Sequence, residues 1–588
     1  MSLLPTAEPI ASRPCFAAIA RRRCALAVLG GLFAVHAATG QTPGVSTQFG
    51  ERLEVEVVDV DVVVTDRSGN PVFGLGREAF EIRVDGRPVP VDYFAPPRAA
   101  TVSTADRPVP NAPSATLAPE PFAAVPSYLA VFVDQAALSS HLRTIAVAEL
   151  REFLRRRPPD EVVIVAAFEN RLHLLAPPSA DPAAIEAGLN ALAHLPVGSA
   201  LSASERRHLA SRLRGVGIGW AGADTGLALA QREASLLEVE VRRWAEEDLD
   251  LQRRSLAALK QFVGALGALE GRKSVILASG GTTTEGAEGL LTELSRQRLA
   301  PNELPSLFDA KQKVREQFEE VIRVAQDARV ALYALHPPDT TMLQYGAELS
   351  SPGDGPIPLP RDPAIVDAAA SAARMAGATG GRTYLLGTNL DSRLASVRSD
   401  AESVYSLGFG TGPEMGDGDH RIEVRVAGQR LRLRHRTSFR RRTTAEQAES
   451  ALYAAATLGE LQNALGLEVE TGAARPVGDA RGDRVISFAA RVPLAALALL
   501  PEEGVRRGRL AVRVALLSER GELFTSQSLS VPVEIAEPEV ETMLERPWVH
   551  RAEVRVTPST RRLAILVVDE IAGVFATATT AVGPADPD

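Results

Sequence analysis

Apolar and polar positions change their period three times along the chain. Over residues 53–64, valines alternate with Glu54, Glu56, Asp59 and Asp61, the pattern of a strand with one wet face. The turn sequence Asp66-Arg67-Ser68-Gly69-Asn70-Pro71 follows, and residues 80–84 and 89–94 flank Asp85-Gly86 as the arms of a hairpin. Residues 50–96 are therefore expected to form a small all-β domain. Eight prolines among small and polar residues then fill 96–126, so 97–126 reads as a linker.

From 127 onward short apolar runs alternate with helical stretches. The runs are 128–133, 162–168, 172–175, 274–278, 330–335 and 382–386, and the helical patterns are 139–157, 182–195, 314–328 and 363–376. Strands buried on both faces between helices call for a mostly parallel sheet, giving a doubly wound, three-layer αβα domain over 127–440. A helical insertion at about 202–269 interrupts it: 226–269 has almost no breaker before its last turns and carries Leu229, Leu236, Leu237, Trp244, Leu256, Leu259 and Val263. As one helix it would run roughly 65 Å, and it must project or fold back. Its apolar stripe reads as core more readily than as a docking face.

Strand patterns at 404–409, 421–426 and 430–436 are expected to close this domain. In the last, Leu431 and Leu433 alternate with Arg430, Arg432, Arg434 and Arg436, which reads as a solvated basic face; the sharper alternative is an anion or envelope-surface contact. A helical connector spans 441–460. Short strand patterns at 486–492, 510–517, 529–535, 552–556 and 563–569 make 461–580 a β-sandwich-like domain.

At 588 residues with 45% apolar composition, the chain exceeds what one core can serve. Its formal charge of −9 excludes the basic surface that sequence-independent nucleic-acid binding requires. Residues 21–37 read as a secretory signal: Arg21 to Arg23, an apolar run over 25–35, and small residues before a cleavage point at Ala38. The run falls short of the ~20 residues needed to span a bilayer, and no later segment has that character. Removal of 1–37 would take away both cysteines, Cys15 and Cys24, leaving no disulfide, cysteine nucleophile or cysteine-ligated zinc. The protein is thus expected in the periplasm or outside the cell. Of its 64 basic residues only four are lysines, Lys260, Lys273, Lys311 and Lys313, a bias that reads as coding composition.

The order of parts resembles the bacterial VWFA-related domain family. The resemblance rests on Val-Thr-Asp-Arg-Ser-Gly-Asn-Pro-Val at 64–72, Phe80 before Asp85-Gly86, Gly271-Arg272-Lys273-Ser274 before a strand, Ala378-Thr379-Gly380-Gly381-Arg382, and Tyr405-Ser406-Leu407-Gly408-Phe409. It covers most of the chain beyond residue 37. It implies a von Willebrand factor A-like fold and binding to another macromolecule, a protein or envelope partner. Metal-dependent domains of this fold use a D-x-S-x-S loop, a threonine from a second loop and an aspartate from a third. Here the first loop is Asp134-Gln135-Ala136-Ala137-Leu138 and the third is Ala278-Ser279-Gly280-Gly281, so only Asp134 matches, with Ser139, Ser140 and Thr225 as weak further candidates. One carboxylate is a poor Mg²⁺ site; the metal site is read as degenerate and no cofactor is expected.

No motif for catalysis stands out. Gly267 to Ser274 fails as a phosphate loop, because Arg272 replaces the required glycine and the segment precedes a strand. There is no H-E-x-x-H and no G-x-S-x-G. Glu246, Glu247, Asp248 and Asp250 read as a solvated helix face, His141 and His336 as isolated histidines, and Arg481-Gly482-Asp483 as a loop. The expectation is an exported, non-enzymatic interaction or adhesion protein that works without metal. The alternatives are a metal-dependent adhesion module centred on Asp134 and an envelope hydrolase.

Overall fold

The computed structural model describes residues 56–97, 127–196, 224–280, 305–336, 363–386 and 390–582, apart from short gaps at 139, 412–414, 417, 429, 460–461, 479–481, 503 and 520, together with 208–209, 211–212 and 290. The signal expected at 21–37 and most of the linker lie outside these residues. Among the described residues no helix is long and apolar enough to cross a membrane. The molecule is a mixed α/β protein with one parallel-rich sheet and several antiparallel ones.

The first strands are β1 (Glu56–Thr65), β2 (Phe80–Val84), β3 (Arg87–Val89) and β4 (Tyr93–Ala95). The expected hairpin joins β2 to β3, with Asp85 at φ 50° and Gly86 at φ 80°; a two-residue loop matched to strand twist needs both in the left-handed region.

The parallel-rich sheet follows, built from β5 (Ser127–Asp134), β6 (Val162–Phe168), β7 (Leu172–Ser179), β8 (Arg272–Ala278), β9 (Val330–His336) and β10 (Thr383–Leu385). Its order is β7-β6-β5-β8-β9-β10, with only β7 antiparallel to its neighbour. The helices are α1 (Ser140–Arg155), α2 (Pro182–His194), α3 (Asp224–Leu266), α4 (Pro305–Asp327), α5 (Pro363–Ala378) and α6 (Leu390–Glu402). Every residue of β5 from Leu129 to Val133 is at most 3% exposed, because helices cover both faces. Ala130 and Phe132 pack with α3 and α4, whereas Leu129, Val131 and Val133 pack with α1, α2 and α6. Asp181 caps α2 by accepting from the Ala183 N–H, with Pro182 in the first turn, where its missing N–H costs nothing.

The described part of the stretch expected as an insertion belongs to the crossover from β7 to β8. Helix α3 runs 43 residues between β7 and β8, and Leu237, Trp244, Leu249, Leu256, Leu259, Phe262 and Val263 bury against the sheet and α4. The stripe of Leu and Trp is core; Leu236 and Val239 remain exposed.

Strands β11 (Val404–Thr411), β12 (Asp419–Val426), β13 (Arg432–Arg434) and β14 (Ser438–Arg440) do not close this sheet. They pair with the N-terminal strands in two four-stranded sheets, β13-β1-β11-β4 and β14-β12-β2-β3, and Val60, Val62, Ile82, Tyr405, Leu407 and Phe409 fill the core between them. Each half of that sandwich has a dry face that only the other half can cover. The α/β domain is thus inserted into the β-sandwich, contrary to the expectation that 404–440 belongs to the α/β unit.

Helix α7 (Thr444–Leu458) begins with a reciprocal capping box between Thr443 and Glu446 and ends at Gly459, whose φ of 79° suits the left-handed cap. Its Ala448, Leu452, Ala455 and Ala456 pack on the C-terminal strands, and Ala454 and Leu458 reach the core beside α3. The described strands from Glu468–Thr471 to Val574–Ala581 form two antiparallel sheets around one core, including Phe488, Val512, Val514 and Ile565.

Candidate functional site

In a doubly wound sheet the ligand crevice opens outside the carboxyl ends of the strands where the order reverses. Here that point lies between β5 and β8: the chain leaves β5 for β6 on one side, and β8 begins the other side. Asp134 is the last residue of β5 and Ser279 the first after β8. The apolar strand forces this placement, since both of its faces are covered and its carboxylate can only emerge at the end.

Asp134 is 6% exposed. Its Oδ1 accepts from the Ala137 N–H at 3.2 Å; its Oδ2 accepts from the Ser255 hydroxyl at 2.8 Å and the Ser279 hydroxyl at 3.1 Å. Burial pushes the carboxyl above its usual range, and the two hydroxyls and the backbone N–H groups of Ala137 and Ala136 oppose that shift. Gly280 permits the close approach of the two loops: a Cβ there would lie 2.1 Å from the Ala137 carbonyl oxygen.

Ser255 comes from α3, 121 residues along the chain, and brings that helix over the crevice. Around the three oxygens lies a cavity of about 30 Å³, walled by Phe132, Leu256, Leu259, Leu277, Phe318 and Met375. The Phe132 and Phe262 rings, 5.6 Å apart, hold the helix to the strand.

This donor set does not fit Mg²⁺. A hard dication takes near-octahedral oxygen coordination; here one carboxylate faces two neutral hydroxyls among hydrocarbon walls. Ala136 and Leu138, where D-x-S-x-S would place hydroxyls, are 4% and 0% exposed and belong to the core. Ser139 lies outside the described residues. Thr225 falls in the first turn of α3, where side chains are not described. Ser140 opens α1 and its carbonyl accepts from the Thr144 hydroxyl. Among the described residues no three His, Cys, Asp or Glu side chains gather in an arrangement suited to a metal.

Sequence reasoning found Asp134 and missed Ser255. The signal was present: Ser255 stands four residues before Leu259 and seven before Phe262, a polar position on an apolar helical stripe. The acidic run on α3 is solvated, with Glu247 and Asp250 paired to Arg243 and Arg254. Asp483 of the Arg-Gly-Asp triplet is 7% exposed and bonded to Arg555 at 2.8 Å; Arg481 is outside the described residues.

The basic strand departs from expectation. Arg432 is exposed, but Arg434 turns inward to pair with Asp400, and the Arg436 guanidinium donates to the carbonyls of Gln326 and Asp59. Arg430 and Arg432 keep the solvent exposure expected of this face, whereas its Arg434 and Arg436 end lies against the α/β domain.

No family model matches the chain, and no curated protein does. Solved structures similar to it include an aerotolerance-related membrane protein from Bacteroides fragilis, with TM-score 0.22 and 10% identity over 47% of this chain and 98% of that one. A von Willebrand factor type A protein from Catenulispora acidiphila gives TM-score 0.20 and 9% identity over 78% and 65%. A beta-glucuronidase from Bacteroides uniformis gives 0.13 and 10% over 31% and 19%.

Proposed function

We propose that this chain is an exported, non-enzymatic protein whose von Willebrand factor A-like α/β domain, carried between β-sandwiches, binds a protein partner without a metal. The observation that carries the metal-independent reading is the engagement of Asp134 by Ser255 and Ser279 beneath α3. A carboxylate sealed by its own helix has no open coordination position to offer a ligand. Export rests on the Arg21 to Arg23 run and the apolar stretch after it. Non-enzymatic character rests on the solvated state of the carboxylates on α3 and the neutral partners of Asp134.

The second reading, a metal-dependent adhesion module, draws on three oxygens converging on one small cavity. Cross-linking in the producing cells separates the two. The account expects one partner adduct of equal yield from wild type, from wild type in chelator, and from Asp134→Ala. Loss of the adduct in both chelator and variant, with folding intact by circular dichroism, would establish the metal-dependent reading instead.

A further inference from the structure

At the opposite end of the parallel-rich sheet a second cavity, about 60 Å³, lies between the amino ends of β8 and β9 and the β1 face of the N-terminal sandwich. Five cations line it: Arg272, Lys273, Arg329, Arg434 and Arg436. Three have carboxylate partners. Arg329 meets Asp59 at 2.7 Å, Arg434 meets Asp400 at 2.5 Å, and Arg272 lies 3.8 Å from Asp61 while donating to the Ser406 hydroxyl.

Lys273 and Arg436 are left over. Lys273 is 6% exposed, and among the described residues its ammonium donates only to the Leu269 carbonyl, at 2.8 Å, which leaves two N–H groups. Arg436 donates to two backbone carbonyls, and its buried Nε–H has no acceptor among the described residues. Neither has a carboxylate within ion-pair distance among the described residues. Asp59 and Asp61 share the lining; Asp61 acts on both cations, and Asp59 and Asp327 on Arg436, only from beyond ion-pair distance, while Arg329 repels both and Arg442 and Arg436 repel Lys273. Buried charge without a counter-charge is costly, and native proteins pair it or neutralise it.

The space suits a counter-ion. One water needs about 10–15 Å³ by this measure, so the cavity has room for several water-sized groups. We propose that it binds a small tetrahedral oxyanion, inorganic phosphate or sulfate, between Lys273 and Arg436 at the seam of the N-terminal sandwich and the α/β domain. The anion accepts from the remaining Lys273 N–H groups and the Arg436 Nε–H, and supplies at contact distance the negative charge that Asp59 and Asp61 supply to these two cations only from farther away. Without it, burial and the neighbouring arginines drive the Lys273 ammonium down to about 7, so that the side chain sheds its charge as the pH rises. The site is independent of the reading of Asp134, and its failure would leave that reading untouched.

The test is calorimetric titration of the full chain with sodium phosphate and, separately, sodium sulfate at pH 6.5, beside thermal unfolding in the same salts against sodium chloride of equal ionic strength. Saturable binding of either oxyanion, a midpoint that rises with oxyanion and not with chloride, and an affinity at least about tenfold weaker in Lys273→Met are expected. Arg436→Gln serves as a second variant should Lys273→Met fail to fold. Absence of saturable heat, a midpoint that follows ionic strength alone, or unchanged affinity in both variants would overturn the proposal.

Discussion

The two ends of the parallel-rich sheet each bury an ionisable side chain to the same extent, Asp134 at the carboxyl end and Lys273 at the amino end, both 6% exposed. They differ in what surrounds the charge. Asp134 receives two hydroxyls and a backbone N–H, neutral donors that satisfy its oxygens and close the crevice. Lys273 receives one carbonyl and sits among arginines, with the Asp61 carboxylate acting only from beyond ion-pair distance. Where such a fold conventionally offers a ligand site, this chain has completed the hydrogen bonding internally. At the other end the bonding is unfinished. A strand-end carboxylate marks a site only if something else leaves its coordination open.

The comparison can be broken most forcefully at Lys273. Its ordinary value is 10.5 and its folded value about 7, so between those limits the unfolded chain holds more protons than the folded one. Stability therefore rises with pH across that window and is lowest below 7. In buffer free of phosphate and sulfate, Lys273→Met should remove this rise and exceed wild type at pH 6 by an amount on the order of several kcal/mol, the gap closing by pH 10. Urea unfolding followed by tryptophan fluorescence across pH 6–10 measures it. A wild-type profile as flat as the variant's would show that Lys273 is solvated or paired.

At the carboxyl end, Phe262→Ala tests whether α3 seals the crevice by packing. Phe262 is fully buried against Phe132, and its truncation should cost about 3–5 kcal/mol in urea unfolding and admit solvent to Asp134. A cost below about 1 kcal/mol would mean that the helix is held elsewhere. Ser255→Ala sharpens the same point with a smaller effect. Loss of one donor to a buried carboxylate should cost about 1–3 kcal/mol and push Asp134 further above its usual range, because that hydroxyl opposes the effect of burial. Unchanged stability would remove Ser255 from the account.

Local pattern made much of this architecture legible. The all-apolar run of β5 announced a strand covered on both faces, the Asp85-Gly86 pair announced a hairpin, and Asp134 was visible as the residue that must emerge where that run stops. Longer range hid the rest. Strands β1 and β11 pair across more than 300 residues, and nothing in either says which strand completes it. Alternation in 430–436 showed that arginines share a face but not that the face meets Asp400 and Gln326. Lys273, one of four lysines, stood in plain view as part of Gly271-Arg272-Lys273-Ser274. Its burial arises only when β8 and the N-terminal sandwich come together.

The most direct measurement is calorimetric titration of the purified protein with Mg²⁺, Mn²⁺ and Ca²⁺, run beside Asp134→Ala. With Asp134 closed by Ser255 and Ser279, the account predicts no saturable heat from any of the three ions in either protein. Saturable binding in the wild type that disappears in Asp134→Ala would contradict it, and would make the carboxyl-end crevice a working metal site.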